Sequence, residues 1–213
     1  MSNRQSKTRV LVECGMLIAI AAVLSVFPKF ESFWPNGGSI TLCSMLPIVL
    51  ISYRRGLRWG LLSGLVFSLI QILSGLRGLA GMDFLSTVGV ILLDYIVAFT
   101  VLGLGGIFRG RFRSTTAELV AGTLFALMLR YATHILSGYI LFSSYAEWFL
   151  GQEGFAFGNW VLAHSSGSLL YLLYSVIYNG SFMIPEMIIT TIGAVVLSPL
   201  ARMGLPAEDK SGR

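Results

Sequence analysis

Asp94, Arg130, His134 and Glu186 lie inside long apolar runs, where an ionisable side chain is expensive. An Asp or Arg at the centre of a membrane-spanning helix costs roughly 2.5–3.5 kcal/mol on insertion scales, so such residues are functional-site candidates by default. Glu13 belongs to the same set, and Tyr174 and Asn179 are the chief uncharged additions. Arg130, His134 and Gly138 follow at four-residue spacing, share one helix face, and are continued by Phe142. Asp94 is followed directly by Tyr95. One carboxylate, one imidazole, one amide and several aromatic rings describe a receptor for a cation or an amino-heterocycle. The carboxylate meets charge or N–H donors, and ring faces meet a flat or cationic ring. A purely structural alternative stays open, in which Asp94 pairs with Arg130 between two helices. Glu13 and Glu186 suit structural or partner roles.

The elements that would position these groups are membrane spans. The chain has 213 residues, 55% hydrophobic and 12% charged, with a mean hydropathy of +0.78. A soluble domain carries about 25% charged residues. Apolar runs at about 10–27, 40–53, 57–74, 84–108, 116–142 and 169–200 predict six transmembrane helices in a single all-α membrane domain covering 1–213. The second run is too short for a full crossing of about 20 residues, so it needs its flanks or is partly re-entrant. The last is long, and Pro185 within it lacks an N–H donor. No cleavable signal peptide is expected, because Phe27-Pro28-Lys29-Phe30 is a poor cleavage site.

Charge orients the spans. Arg4, Lys7 and Arg9, then Arg54, Arg55 and Arg58, then Arg109, Arg111 and Arg113, then Arg202, Lys210 and Arg213 mark four basic segments. They alternate with three segments that hold only Lys29 and Arg77. That pattern predicts both termini in the cytoplasm and an even number of spans. It also explains the net charge of +5 as topology, with no nucleic-acid partner. With that orientation and about 1.5 Å per residue, Asp94, His134 and Asn179 share a depth of roughly 12–15 Å below the outer surface. Three helices thus bring polar groups to one level, as a pocket open to the outside requires.

The outer segment 143–168 carries Tyr145, Trp148, Phe149, Phe155, Phe157 and Trp160, and the first outer loop carries Phe30, Phe33 and Trp34. These rings suit an interfacial aromatic belt, loops that close over an aromatic ligand, or both. Gly56, Gly60 and Gly64, and likewise Gly15 and Ala19, recur every four residues and give small faces for close helix packing, within the chain or against a partner. There is no phosphate-binding G-x-x-x-x-G-K-[ST] loop and no metal-type His/Cys cluster. Cys14 and Cys43 suit packing roles. His164-Ser165-Ser166 lacks a nucleophile elbow and a carboxylate partner. Catalysis is therefore not expected, and neither is a metal or a cofactor.

Five stretches resemble the thiamine-specific S components of energy-coupling factor transporters, the ThiT family. They are PNGGSITL (35–42), LPIVLISYRRGLRWGLLSGL (46–65), LLDYIVAF (92–99), LRYATHILSG (129–138) and YSVIYNGSFMIPE (174–186). The likeness runs from about residue 10 to 200. It implies a six-helix membrane subunit of the cell membrane that captures thiamine from outside. A transmembrane coupling subunit and two ATPase subunits would then drive uptake, with ATP used only by those partners. Carried over residue by residue, the resemblance implies ligand contacts at Asp94, Tyr95, His134, Gly138, Phe142, Tyr174, Asn179 and Phe67. It also places a partner-facing motif at Gly15 and Ala19. Asp94 is shorter than the Glu frequent in that family, and Phe67 and Phe142 stand where Trp is common. Gly81–Val90 departs from the family form, and the 143–168 loop is longer than usual. A thiamine precursor or another small vitamin on the same scaffold is the alternative ligand. An intramembrane acid–base enzyme would lack a nucleophile, and a ligand-free assembly subunit is the remaining reading.

Overall fold

The computed structural model describes residues 7–31 and 38–203, with the backbone alone for Glu31 and Arg77. Arg4, Phe33, Trp34, Lys210 and Arg213 lie outside the described residues. In chain order the elements are α1 (Lys7–Val26), β1 (Lys29–Glu31), β2 (Ser39–Thr41), α2 (Leu46–Arg55), α3 (Leu57–Gly75), α4 (Phe84–Leu104), α5 (Thr115–Leu141), α6 (Ala146–Leu150), α7 (Ala156–His164) and α8 (Gly167–Ala201). Helices α1, α3, α4, α5 and the Gly167–Leu197 part of α8 are each long and apolar enough to cross a membrane.

The expected second span, 40–53, divides in two. Its first residues form β2, which pairs antiparallel with β1 in the register Phe30↔Ile40. The chain then turns through Cys43 at φ 59° before α2 begins, so the all-α expectation is corrected by one small hairpin. Pro47 stands in the first turn of α2, where its missing N–H costs nothing. α2 has 10 residues, about 15 Å, which is half a bilayer crossing. Leu46, Ile48, Val49, Ile51 and Tyr53 are all buried, as befits a helix enclosed by others. At one end Thr41 meets Glu186 of α8. At the other, Arg54 donates to the carbonyls of Leu200, Ala201 and Met203. β2, the turn and α2 therefore run beside the second half of α8 only.

An extended strand in an apolar interior needs a partner for its backbone. The Thr41 N–H donates to Glu186 Oε2 at 2.6 Å, and Thr41 Oγ1 donates to Glu186 Oε1 at 2.6 Å. Glu186 is fully enclosed, and its carboxylate takes the place of the missing helical turn. Leaving a buried donor unsatisfied costs about 1–3 kcal/mol. Glu186→Ala is therefore expected to lower stability by about 3 kcal/mol, and Glu186→Gln, which keeps one acceptor oxygen, by clearly less. Thermal unfolding in detergent checks this; equal melting of both variants and the parent would remove the anchor role.

The basic turns gather at one end of the bundle. Glu13 of α1 accepts from Arg54 Nε at 2.5 Å and from Arg55. Glu118 of α5 accepts from Tyr53 Oη at 2.6 Å, Arg202 Nη2 at 2.7 Å and the Gly110 N–H at 2.8 Å. Arg109 donates to the Tyr53 carbonyl at 2.9 Å. Of the structural and partner roles open to Glu13, these ion pairs supply a structural one. Gly60 and Gly64 let α3 lie directly on the α4 backbone, since a Cβ at either would meet Gly103 or Phe99 carbonyl oxygen. Gly15 and Ala19 differ: both are exposed, and a Cβ at Gly15 would have nothing within 4 Å.

Candidate functional site

The candidate site lies where α5 packs against both α4 and α8, near the Met45 end of α2. Within α4 the helix widens from α to π over Ile91–Val97, a distortion frequent at functional sites. Asp94 lies in that segment. Its Oδ1 is 2.7 Å from His134 Nδ1, and its Oδ2 accepts from Ser137 Oγ at 2.5 Å. The two donors sit one turn apart on α5. The Asp94 side chain stays 19% exposed, His134 9%.

The tautomer of His134 follows from its other neighbour. Arg130 Nε lies 3.2 Å from His134 Nε2, and a guanidinium can only donate. Nε2 is therefore the acceptor, and Nδ1 carries the proton given to Asp94. Arg130 also lies over the Phe99 ring at 4.2 Å and contacts Met45 Sδ. The Asp94–Arg130 pair left open by the sequence does not form; the imidazole stands between them.

Asn179 of α8 donates to the His134 carbonyl at 3.1 Å and to the Ser175 carbonyl at 2.9 Å. Asp94, His134 and Asn179 therefore come together at one level, as counting along the spans requires. Gly138 lies against α8, where a Cβ would meet Ser175 Oγ and Asn179 Nδ2. Tyr174 lies nearer the N-terminal end of α8 than Asn179, with its ring 5.6 Å from Phe149 and 5.8 Å from Tyr178. Phe142 packs at the edge of that cluster. Two other candidates point elsewhere. The Tyr95 hydroxyl fits against Gly75 of α3. Phe67 is buried with its ring 5.3 Å from Phe99, the ring over which Arg130 lies. Ser137 was not singled out from the sequence, although it stands three residues after His134 and so shares its face. Phe182, 5.9 Å from the His134 ring, was also missed; Gly38 of the hairpin loop rests on it.

The 143–168 segment folds into α6 and α7 and divides its aromatics. Phe149 is buried, 5.7 Å from Phe155 and 5.1 Å from Tyr178, and covers the N-terminal part of α8. Trp148, Phe157 and Trp160 are exposed, with Phe157 stacked on Trp160. His164 stacks on Trp160 at 4.6 Å. Among the described residues no group of three or more His, Cys, Asp or Glu is placed to hold a metal ion.

Residues 11–161 match the family model described as "Thiamine transporter protein (Thia_YuaJ)". The chain is 33% identical over 198 residues to "Thiamine transporter ThiT" of Bacillus subtilis, covering 88% of this chain and 90% of that protein. It is 25% identical over 210 residues to "Thiamine transporter ThiT" of Lacticaseibacillus paracasei, covering 94% and 92%. Its fold is similar to a solved structure of ThiT from Listeria monocytogenes, with a TM-score of 0.65 and 21% identity over 92% of this chain and 96% of the other. These are transport proteins, not enzymes. A family match over most of its length and a relative 33% identical over most of both chains, with a helical fold to suit, place this chain in the Thia_YuaJ thiamine transporter family.

Proposed function

We propose that the chain is the substrate-binding membrane subunit of an energy-coupling-factor importer, which captures thiamine from outside the cell for uptake driven by partner subunits. The observation that carries this is the partly exposed Asp94 carboxylate, held by His134 and Ser137 at the meeting of three helices. A carboxylate in that setting suits the aminopyrimidine or the thiazolium of thiamine by charge and hydrogen bonding. His134 and the rings near Tyr174 supply flat apolar surface, and Asn179 orients. The five long helices, with β2 and α2 as a composite sixth crossing, fit six spans. The basic end of the bundle fits the cytoplasmic side, which leaves the site and the aromatic segment α6–α7 facing outward at the cell membrane.

Intrinsic tryptophan fluorescence of the purified, ligand-stripped protein tests capture. Saturable quenching by thiamine at submicromolar concentration is expected, with pyrimidine and thiazole fragments as controls. A response to a fragment or another vitamin but not to thiamine would change the substrate. Silence there and in a thermal-shift assay would remove the ligand-binding reading.

We assign the Gly15–Ala19 face of α1 to the transmembrane coupling subunit, which works with two ATPase subunits. Both residues are exposed, and a side chain at Gly15 would touch nothing in this chain. Small residues permit close helix contact. Gly15→Leu is expected to leave thiamine affinity unchanged and to reduce thiamine uptake by cells about tenfold, the loss of roughly 1.4 kcal/mol of docking. Unimpaired uptake would refute this interface.

A further inference from the structure

Helical Ser and Thr residues in this chain commonly turn back on their own helix. Ser25, Ser68, Thr123, Thr133, Ser181 and Ser198 each donate to a carbonyl three or four residues earlier. That local bond is the ordinary resting place of a hydroxyl in an apolar helix. Ser137 does not take it. Although 1% exposed, it directs its one proton across the helix interface to Asp94 Oδ2.

The consequence lies in the geometry of a carboxylate. Asp94 has two oxygens and about four lone-pair sites. A donor on one oxygen alone leaves the group free to rotate about its terminal torsion, which is broad. Donors on both oxygens fix its plane. His134 holds Oδ1, and its ring is held in turn by Arg130. Ser137 holds Oδ2. The lone pairs left over then keep a fixed direction, and the Asp94 side chain is still 19% exposed. The two side-chain donors described for Asp94 both come from α5, while Asp94 itself lies in the π-helical segment of α4.

We propose that Ser137 is a positioning residue for ligand capture: it fixes the Asp94 carboxylate so that its free lone pairs meet the N–H donors of an amino-heterocycle, and it thereby sets selectivity for that amine. The proposal rests on the thiamine-capture reading above. It gives Ser137 no contact with the ligand, and its effect passes wholly through Asp94.

The test compares two ligands, thiamine and the thiamine analogue whose exocyclic amine is replaced by oxygen, on the full-length protein in detergent. Ser137→Ala is expected to weaken thiamine about tenfold, the scale of one hydrogen bond to a charged group. The analogue should shift less than twofold, and the melting temperature of the ligand-free protein should hold. Ser137→Cys, similar in size and a weak donor, gives the same comparison at native packing, and Ser137→Thr should restore thiamine affinity. An equal loss for both ligands would overturn the proposal, since the hydroxyl would then serve packing alone. Unchanged thiamine affinity in Ser137→Ala and Ser137→Cys, with loss in Asp94→Ala, would overturn it while leaving the site in place. Unchanged affinity in all of these would remove Asp94 from the site and the capture reading with it.

Discussion

Asp94→Ala is expected to lower thiamine affinity by more than tenfold while the protein still folds. The Asp94 carboxylate stays partly exposed, and a hydrogen bond to a charged group contributes about 1.5–3 kcal/mol. A single lost bond of that size already exceeds a factor of ten. Truncation also frees the His134 N–H and the Ser137 hydroxyl, which now share one acceptor group. Because Asp94 is not sealed from solvent, water can satisfy those donors, and the cost to folding stays small. Asp94→Asn is expected to be nearly as damaging. Its amide has one acceptor oxygen for two donors, so its NH2 is turned toward His134 or Ser137. Titration calorimetry separates the outcomes: affinity within threefold of the parent in both variants would take Asp94 out of the ligand contact.

The level shared by Asp94, His134 and Asn179 was legible because helical rise is constant, and counting from predicted span ends places polar groups at a depth with no tertiary information. In the fold, Asp94 meets the His134 ring and Asn179 meets the His134 carbonyl. Direction around a helix was less legible. Tyr95 follows Asp94 in sequence, yet consecutive helical residues point about 100° apart, and its hydroxyl goes to Gly75. Phe67 entered through resemblance alone, and its ring meets Phe99. The hairpin was hidden for a different reason. Three-residue strands carry too little period-2 pattern to read, and Ile40, Thr41 and Leu42 look like the start of an apolar span. The length deficit of that span was the one available sign. Glu186 gains its meaning only once β2 is seen, because its partner is a backbone N–H that a continuous helix would have satisfied internally. Likewise α6 and α7 are short and rich in aromatics and are joined through Gly151 and Gly154, so hydropathy shows a loop where packing on Tyr174 and Tyr178 supports a helix.

Gly138 has two candidate explanations that differ in an observable way. One is ligand clearance, since it shares the His134 face of α5 and has no side chain there. In the fold, it lies on α8, where a Cβ would crowd Ser175 Oγ and come within 3.0 Å of Asn179 Nδ2. Forcing an extra methyl into such a contact costs about 1–3 kcal/mol. Gly138→Ala is therefore expected to lower the melting temperature and also to weaken thiamine, because separating α5 from α8 breaks the bond from Asn179 to the His134 carbonyl. Gly138→Val should do both more strongly. The decisive variant is Gly138→Ala combined with Ser175→Gly, which removes the hydroxyl that the new methyl meets. Ser175 also donates to the Ile135 carbonyl at 2.7 Å, so Ser175→Gly alone destabilises, and the pair must be read as a cycle. If helix contact is the reason for glycine, the double variant is more stable than the two single losses added together, and part of the thiamine affinity returns. If ligand clearance is the reason, the losses add and affinity stays low, because the methyl still projects where the ligand would lie.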